Sequence, residues 1–301
     1  MSTKIEIRNE KNYNKKPILK LVKEYLSSIS IAKITLTAIA LIYVFAVLIL
    51  PLVAVFVKGL EKGYSVYIAS ITDPIALDAI KLTLKAILIA VPLNTVFGIV
   101  AAWLISKFEF KGKNILITII DMPFAISPVI AGFVFVLLFS DTHGLFGEIL
   151  TKYDMQIIFN TPGIIIATVF VTFPFVAREL IPIMQSKGSS EEEAALTLGA
   201  SGLKTFFKIT LPNIKWALLY GVILTAARAA GEFGAVSVVS GHIRGLTTTL
   251  PLHIEILYNE YQFSAAFAVA SLLTIIALIN LIAKSVIEWK IKKESINEEV
   301  E

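Results

Sequence analysis

The chain has 301 residues, 56% of them hydrophobic and 17% charged, with a mean hydropathy of +0.79. A soluble domain carries roughly 25% charged residues, and a membrane span takes about 20 apolar ones. Six spans with their loops therefore use most of the length and exclude a large fused soluble catalytic domain. With 0 cysteines, disulfides, thiolate metal sites, haem attachment and a cysteine nucleophile are excluded as well. The net charge of +4 is not read as a nucleic-acid footprint. In a membrane chain such an excess records which loops stay in the cytoplasm.

In chain order, residues 1–33 are charged throughout and lack the apolar stretch and small-residue cleavage site of a signal peptide. They read either as a basic segment on anionic membrane lipid, with Leu19, Leu21, Val22, Tyr25 and Leu26 as its apolar face, or as a partly ordered cytoplasmic tail. Uncharged runs then predict spans at 34–57, 86–106, 122–140, 155–177 and 263–283. The run 216–240 predicts a further span, the fifth in order, although it holds Arg228 and Glu232. Residues 34–285 thus form one six-helix domain, followed by a cytoplasmic tail at 286–301. The expectation is an all-α membrane protein of six transmembrane helices.

Charge counting orients it. The N-terminal tail, the 107–113 loop, the 178–215 loop and the stretch from Lys284 to the C-terminus hold 8, 3, 5 and 4 of the 27 Lys and Arg residues. Both termini and those two loops are expected in the cytoplasm, an N-in/C-in arrangement.

The 178–215 loop is the informative one. Ser190 with Glu193 three residues on reads as a capping box, and the glutamates 191–193 suit the positive end of a helix. Gly199 is placed to end that helix in the left-handed conformation, Ser201 to cap a second short helix, and Pro212 precedes the fifth span. An ordinary connector needs only about 2 to 8 residues. Ala194, Ala195 and Leu198 would form a small apolar face with little of its own to cover it, which suits a docking surface. The segment from Gly199 to Thr205 imitates a phosphate loop. It lacks the Gly-Lys step, the four-residue glycine spacing and a preceding strand, so the chain is not expected to bind ATP through it.

In the fifth span, Arg228 and Glu232 are four apart and would share a helical face. Two readings stand: a structural ion pair inside the bundle, or a pathway lined by an arginine that attracts an anion. Ser237, Ser240, His242 and Arg244 follow as a donor-rich stretch, suited to a dehydrated oxyanion and equally to an ordinary polar loop. The three histidines form no zinc motif and no serine sits in Gly-x-Ser-x-Gly, which argues against a membrane enzyme. An ion-coupled secondary transporter would place acidic residues deep in several spans, and only Glu232 is found there.

Glu193-Ala194-Ala195, then Gly199, Ile209 and Leu211-Pro212 at ungapped spacing, resemble the EAA loop of ABC importer permeases. By that resemblance Glu193, Ala194, Ala195, Gly199, Ile209, Leu211 and Pro212 would couple the chain to an ATPase through the 189–212 loop. Three further stretches are similar to the W-type subunits of sulfate/thiosulfate permeases. They are Ala227-Arg228-Ala229-Ala230-Gly231-Glu232-Phe233-Gly234 onward to Gly245, Asp121-Met122-Pro123-Phe124 onward to Gly132, and Phe173-Pro174-Phe175-Val176-Ala177-Arg178-Glu179-Leu180. The likeness covers roughly residues 40–285; Leu246 departs from it where a more polar residue is expected, and molybdate permeases share part of it. It implies a type I ABC importer permease fold in the inner membrane of a bacterium, with no cofactor or metal on this chain. It also implies two copies of an ATPase carrying ATP and magnesium, a second, different permease subunit, and an extracytoplasmic sulfate-binding protein.

Overall fold

A computed structural model describes residues 31–298, all helical in their regular structure. The expected basic tail at 1–33 lies almost entirely outside the described residues. The chain divides into two compact units, Met1–Ala54 and Val55–Glu301. The described part of the first is helical: α1 (Ile31–Val44), one π-helical turn (Phe45–Ile49) and the start of α2 (Leu50–Leu60). Its Leu41, Phe45 and Leu48 are exposed, as apolar side chains facing lipid are.

The second unit carries α3 (Tyr64–Ile71), α4 (Pro74–Lys107), α5 (Lys113–Ala125), α6 (Pro128–Phe139) and α7 (Gly147–Lys152). Next come α8 (Thr161–Thr172), α9 (Pro174–Lys187), α10 (Ser190–Thr197), α11 (Gly202–Thr205) and α12 (Leu211–Asn213), a π-helical turn (Phe206–Thr210) joining the last two. It closes with α13 (Lys215–Ala230), α14 (Gly234–Val239), α15 (Leu250–Asn259) and α16 (Phe263–Glu298). Four helical runs, Lys33–Leu60, Pro74–Lys107, Thr161–Lys187 and Phe263–Ile291, are long and apolar enough to cross a membrane; counting each of two bent pairs as one span gives up to six. The chain is a multi-pass membrane protein.

Several spans differ from the sequence expectation. The second begins at Pro74 rather than 86, because Asp73 caps it: its Oδ1 accepts from the Ile75 and Ala76 backbone N–H at 2.9 and 3.4 Å. Exposed Lys81 pairs with Asp78 on that added length, so charge did not end the helix. The expected third span, 122–140, is two helices bent by 108° between Ala125 and Pro128. Pro128 holds Ser127 out of the helical region (ψ 131°), which forces the break. The fourth starts at Thr161, capped by Asn160, and runs to Lys187, so Arg178 and Glu179 lie within it rather than at its end. Asp121 likewise lies inside α5. The fifth stops at Ala230, not 240, and α16 continues unbroken past 285 to Glu298.

The centre of the second unit is where α4, α9 and α13 converge on Val176. A Cβ on Gly98 would fall 2.6 Å from Val176 Cβ, and one on Gly221 would fall 3.2 Å from Val176 Cα. Only glycine permits the three backbones to close on one valine, which is how helices pack where lipid is as apolar as leucine. Around it Ala102, Leu180, Met184 and Ile214 are buried with Val176. Polar groups join the helices too: buried Asn94 Nδ2 donates to Val169 O at 3.1 Å and to Thr172 Oγ1 at 2.8 Å, tying α4 to α8. Gly98→Leu is therefore expected to destabilise the folded bundle by at least about 1–3 kcal/mol, read as a lowered thermal midpoint in detergent. Leu88→Ala, on the exposed face of α4, should leave the midpoint almost unchanged.

Candidate functional site

Gly188, at φ +65°, ends α9 and turns the chain sharply into α10. Ser189, not the expected Ser190, is therefore the N-cap residue. Its hydroxyl donates to the Glu193 carboxylate instead of accepting a backbone N–H, so the capping box does not form. At the other end the backbone N–H of Gly199 donates to Leu196 O and that of Ala200 to Ala195 O, both at 3.0 Å, with Gly199 at φ +85°. These are the paired bonds of a Schellman stop, and they place the break where the glycine predicted it. Ser201 Oγ accepts from Lys204 N at 3.4 Å and caps α11. The run Gly202–Asn213 then bends by 73° into α13.

The seven EAA-type residues divide between an outer and an inner set. Glu193, Ala194 and Gly199 are exposed and Pro212 with them, whereas Ala195, Ile209 and Leu211 are half-buried. Leu211 packs on the buried cluster around Val176, and so roots the loop in the bundle. Leu198 is 89% exposed, with Leu196, Leu203 and Phe207 also open, which makes the apolar face wider than Ala194, Ala195 and Leu198 alone predict. Glu191 and Glu192 do more than favour a helix start. Asn213 Nδ2 donates to Glu191, Thr210 Oγ1 donates to Glu192 Oε1 at 3.1 Å, and Lys107 Nζ lies 2.8 Å from the same oxygen. Burial alone would raise the Glu192 pKa. Hydrogen bonds from Lys107, its own backbone and Thr210, with the Lys107 charge, outweigh that and hold it below the ordinary carboxylate value. Lys107 and Thr210 were missed in the sequence; the signal was a third glutamate beyond what a cap needs.

Arg228 and Glu232 do form an ion pair, Nη1 to Oε2 at 2.6 Å. They do not share one helix, however. α13 ends at Ala230, and Glu232, 2% exposed, sits in the break. Its other oxygen accepts from Ala235 N at 2.9 Å, so one carboxylate neutralises the arginine and caps α14. The donor-rich stretch is not gathered around this pair. Ser237 Oγ donates to Gly234 O at 2.8 Å, buried Ser240 Oγ accepts from His242 N at 3.2 Å, His242 Nε2 faces Glu255 at 3.3 Å, and Arg244 pairs with Glu260. The two serines bond locally at the end of α14, while His242 and Arg244 close the following loop against α15 and its C-terminal end. A second charge pair went unnoticed in the sequence: Arg178 Nε lies 3.3 Å from Asp121 Oδ1, with its guanidinium 5.0 Å from the centre of the Phe124 ring. Among the described residues, no group of three or more His, Asp or Glu could hold a metal ion.

Two outcomes follow from these geometries. Arg228→Ala strands a buried carboxylate, so it should lower stability by about 3–5 kcal/mol. Arg228→Met combined with Glu232→Gln should recover most of that loss, and thermal midpoints of the purified protein compare the two. For Glu192, a depressed pKa means its stabilisation is complete above the ordinary carboxylate value, about 4.3, and is lost as pH falls through the depressed one. Limited proteolysis of the loop should thus be flat from neutral pH down to that range and rise only below it. Glu192→Gln should remove the step.

Residues 94–292 match the family described as binding-protein-dependent transport system inner membrane component. The chain is 51% identical to the Sulfate transport system permease protein CysW of Escherichia coli (strain K12), over 82% of this chain and 85% of that one. It is 49% identical to the protein of the same name from Synechocystis sp. (strain ATCC 27184 / PCC 6803 / Kazusa), over 86% of this chain and 93% of the relative. Identity to the Sulfate transport system permease protein CysT of Escherichia coli (strain K12) is 36%, over 80% and 87%. In fold it resembles a chain of a bacterial alginate ABC transporter crystallised with an alginate pentasaccharide-bound periplasmic protein. There the TM-score is 0.70 at 16% identity, covering 89% of this chain and 94% of that one. The chain belongs to the binding-protein-dependent transport system inner membrane components, the permease subunits of ABC importers.

Proposed function

We propose that this chain is the W-type permease subunit of an ATP-driven sulfate/thiosulfate importer in the inner membrane of a bacterium. The observation that carries the reading is the exposed apolar face of α10 and α11, hung from the bundle by Leu211, in a chain 51% identical to a protein named for sulfate transport. An apolar face of that kind is a docking surface. The ATPase that would dock there supplies ATP binding and hydrolysis with its own magnesium. This chain's residues receive the motion: Ala194, Leu198 and Leu203 offer contact, Glu193 braces Ser189, and Gly199 sets the angle between the two short helices.

In this reading both termini and the 107–113 and 178–215 loops face the cytoplasm, six spans cross the membrane, and each bent pair counts as one of them. A second, different permease subunit, of which the CysT relative is an example by name, would complete the anion pathway. An extracytoplasmic binding protein would deliver the anion, and two ATPase copies would serve the two permeases. Within the span region Arg228 is assigned to the structural ion pair, because its partner Glu232 is buried and also caps α14.

Deleting the chain from its host should abolish initial uptake of labelled sulfate at low external concentration and leave molybdate uptake intact. Loss of molybdate uptake instead would assign the importer to molybdate or tungstate. Uptake that survives ATP depletion at a held membrane potential would favour an ion-coupled transporter. Gly199→Pro should abolish ATP-driven uptake while the protein stays in the membrane. Because the chain has 0 cysteines, orientation is testable directly. A cysteine at Lys204 should react with an impermeant thiol reagent in inverted vesicles and resist it in intact spheroplasts.

A further inference from the structure

The 34-residue helix α4 ends on Lys107, and that residue's ammonium is nearly enclosed: its side chain is 9% exposed and that of its partner Glu192 is 17% exposed. Lys107 Nζ binds Glu192 Oε1 and also donates to Gly188 O, the carbonyl between α9 and α10. The same Glu192 oxygen accepts from Thr210, which is 2% exposed and leads through α12 into α13. One carboxylate on the first short loop helix therefore joins the ends of two bundle helices.

Apolar packing makes this link only indirectly: Phe206 of the π-helical turn meets Trp103 of α4 edge to face, with ring centroids 5.7 Å apart. α10 packs chiefly on α11 and the π-helical turn. A cavity of about 200 Å³, lined by Phe108 and Leu196 among others, lies beside the Lys107–Glu192 pair between α10 and the end of α4. α10 itself is joined to the end of α4 by the Lys107–Glu192 pair, a charge-assisted link of the short, directional kind. Such a pair is an expensive way to gain stability, since apolar side chains of the same volume are often at least as stabilising. It is well suited to holding one geometry while the loop is pushed.

We propose that Lys107 and Glu192 are positioning residues for coupling: they clamp the coupling loop to α4, so that movement imposed on α10 by the ATPase is delivered to the membrane-crossing helices. The proposal rests on the importer reading above. α4 receives the movement at its last residue and passes it on through its packing against α8, α9 and α13. Thr210 passes a parallel share to α13.

The test uses the complete transporter with its ATPase, second permease and binding protein in proteoliposomes. Lys107→Met keeps the aliphatic stem, Glu192→Gln keeps the shape, and Lys107→Arg keeps the charge. ATP hydrolysis, anion import and retention of the ATPase subunit on purification are measured for each. The expected result is that Lys107→Met and Glu192→Gln retain the ATPase and continue to hydrolyse ATP, while anions imported per ATP fall about tenfold. Lys107→Arg should recover most of the ratio. An unchanged ratio in the two neutralising variants would overturn the proposal. So would loss of the ATPase subunit from both, since the pair would then merely shape the docking surface. If the wild-type complex imports no sulfate with ATP, it is the importer reading that fails, and the ratio can still be measured with whichever oxyanion the wild type imports.

Discussion

A polar group inside an apolar span must find its partner within the protein, because lipid offers none. That constraint orders this structure. At several of the places where a span breaks or carries a charge, a named side chain closes the account locally. Glu232 meets the arginine one turn back and the free N–H of the next helix, so the break after Ala230 leaves neither charge alone. Asn94 ties α4 to α8 through a carbonyl and a hydroxyl, and Arg178 finds Asp121 across the groove between α9 and α5. The backbone closeness that such pairing needs comes from glycine, with Gly98 and Gly221 pressed against the same valine.

The uncharged runs found the apolar segments and missed their interruptions. A hydropathy reading treats 122–140 and 216–240 as continuous because a bend leaves composition unchanged. The clues were conformational: Pro128 restricting Ser127, and Gly231 followed by Glu232 where an apolar residue would have continued the helix. Charge was also taken as an end marker at Lys85 and Arg178, yet both lie inside long helices because capping at Asp73 and Gly188, not charge, ends them. Within the loop, Gly199 and Ser201 act as their local chemistry dictates. The N-cap fell one residue earlier than the motif suggested, at Ser189, and no capping box formed, because the turn at Gly188 was invisible to the motif.

The pairings that give the loop its place were not legible locally. Lys107 and Glu192 are far apart in the chain, and neither has a pattern that names the other. The same holds for His242 with Glu255 and Arg244 with Glu260, which turned an apparent anion-binding stretch into a loop closed on α15. Leu198 and Leu203 of the loop are open, whereas its half-buried Glu192 is tied to Lys107 and Thr210. Under the proposed function, the open leucines would face the ATPase and the carboxylate would hold the loop to the helices it moves.

The central claim is that this loop is the seat of an ATPase. A cysteine placed at Leu198, the most open of its apolar side chains at 89% exposure, would be the only thiol in the chain. A photoactivatable cross-linker attached there in the assembled transporter should capture the ATPase subunit, and the yield should change between nucleotide-free and ATP-bound states. Capture of lipid, or of the extracytoplasmic binding protein, in place of the ATPase would contradict the account.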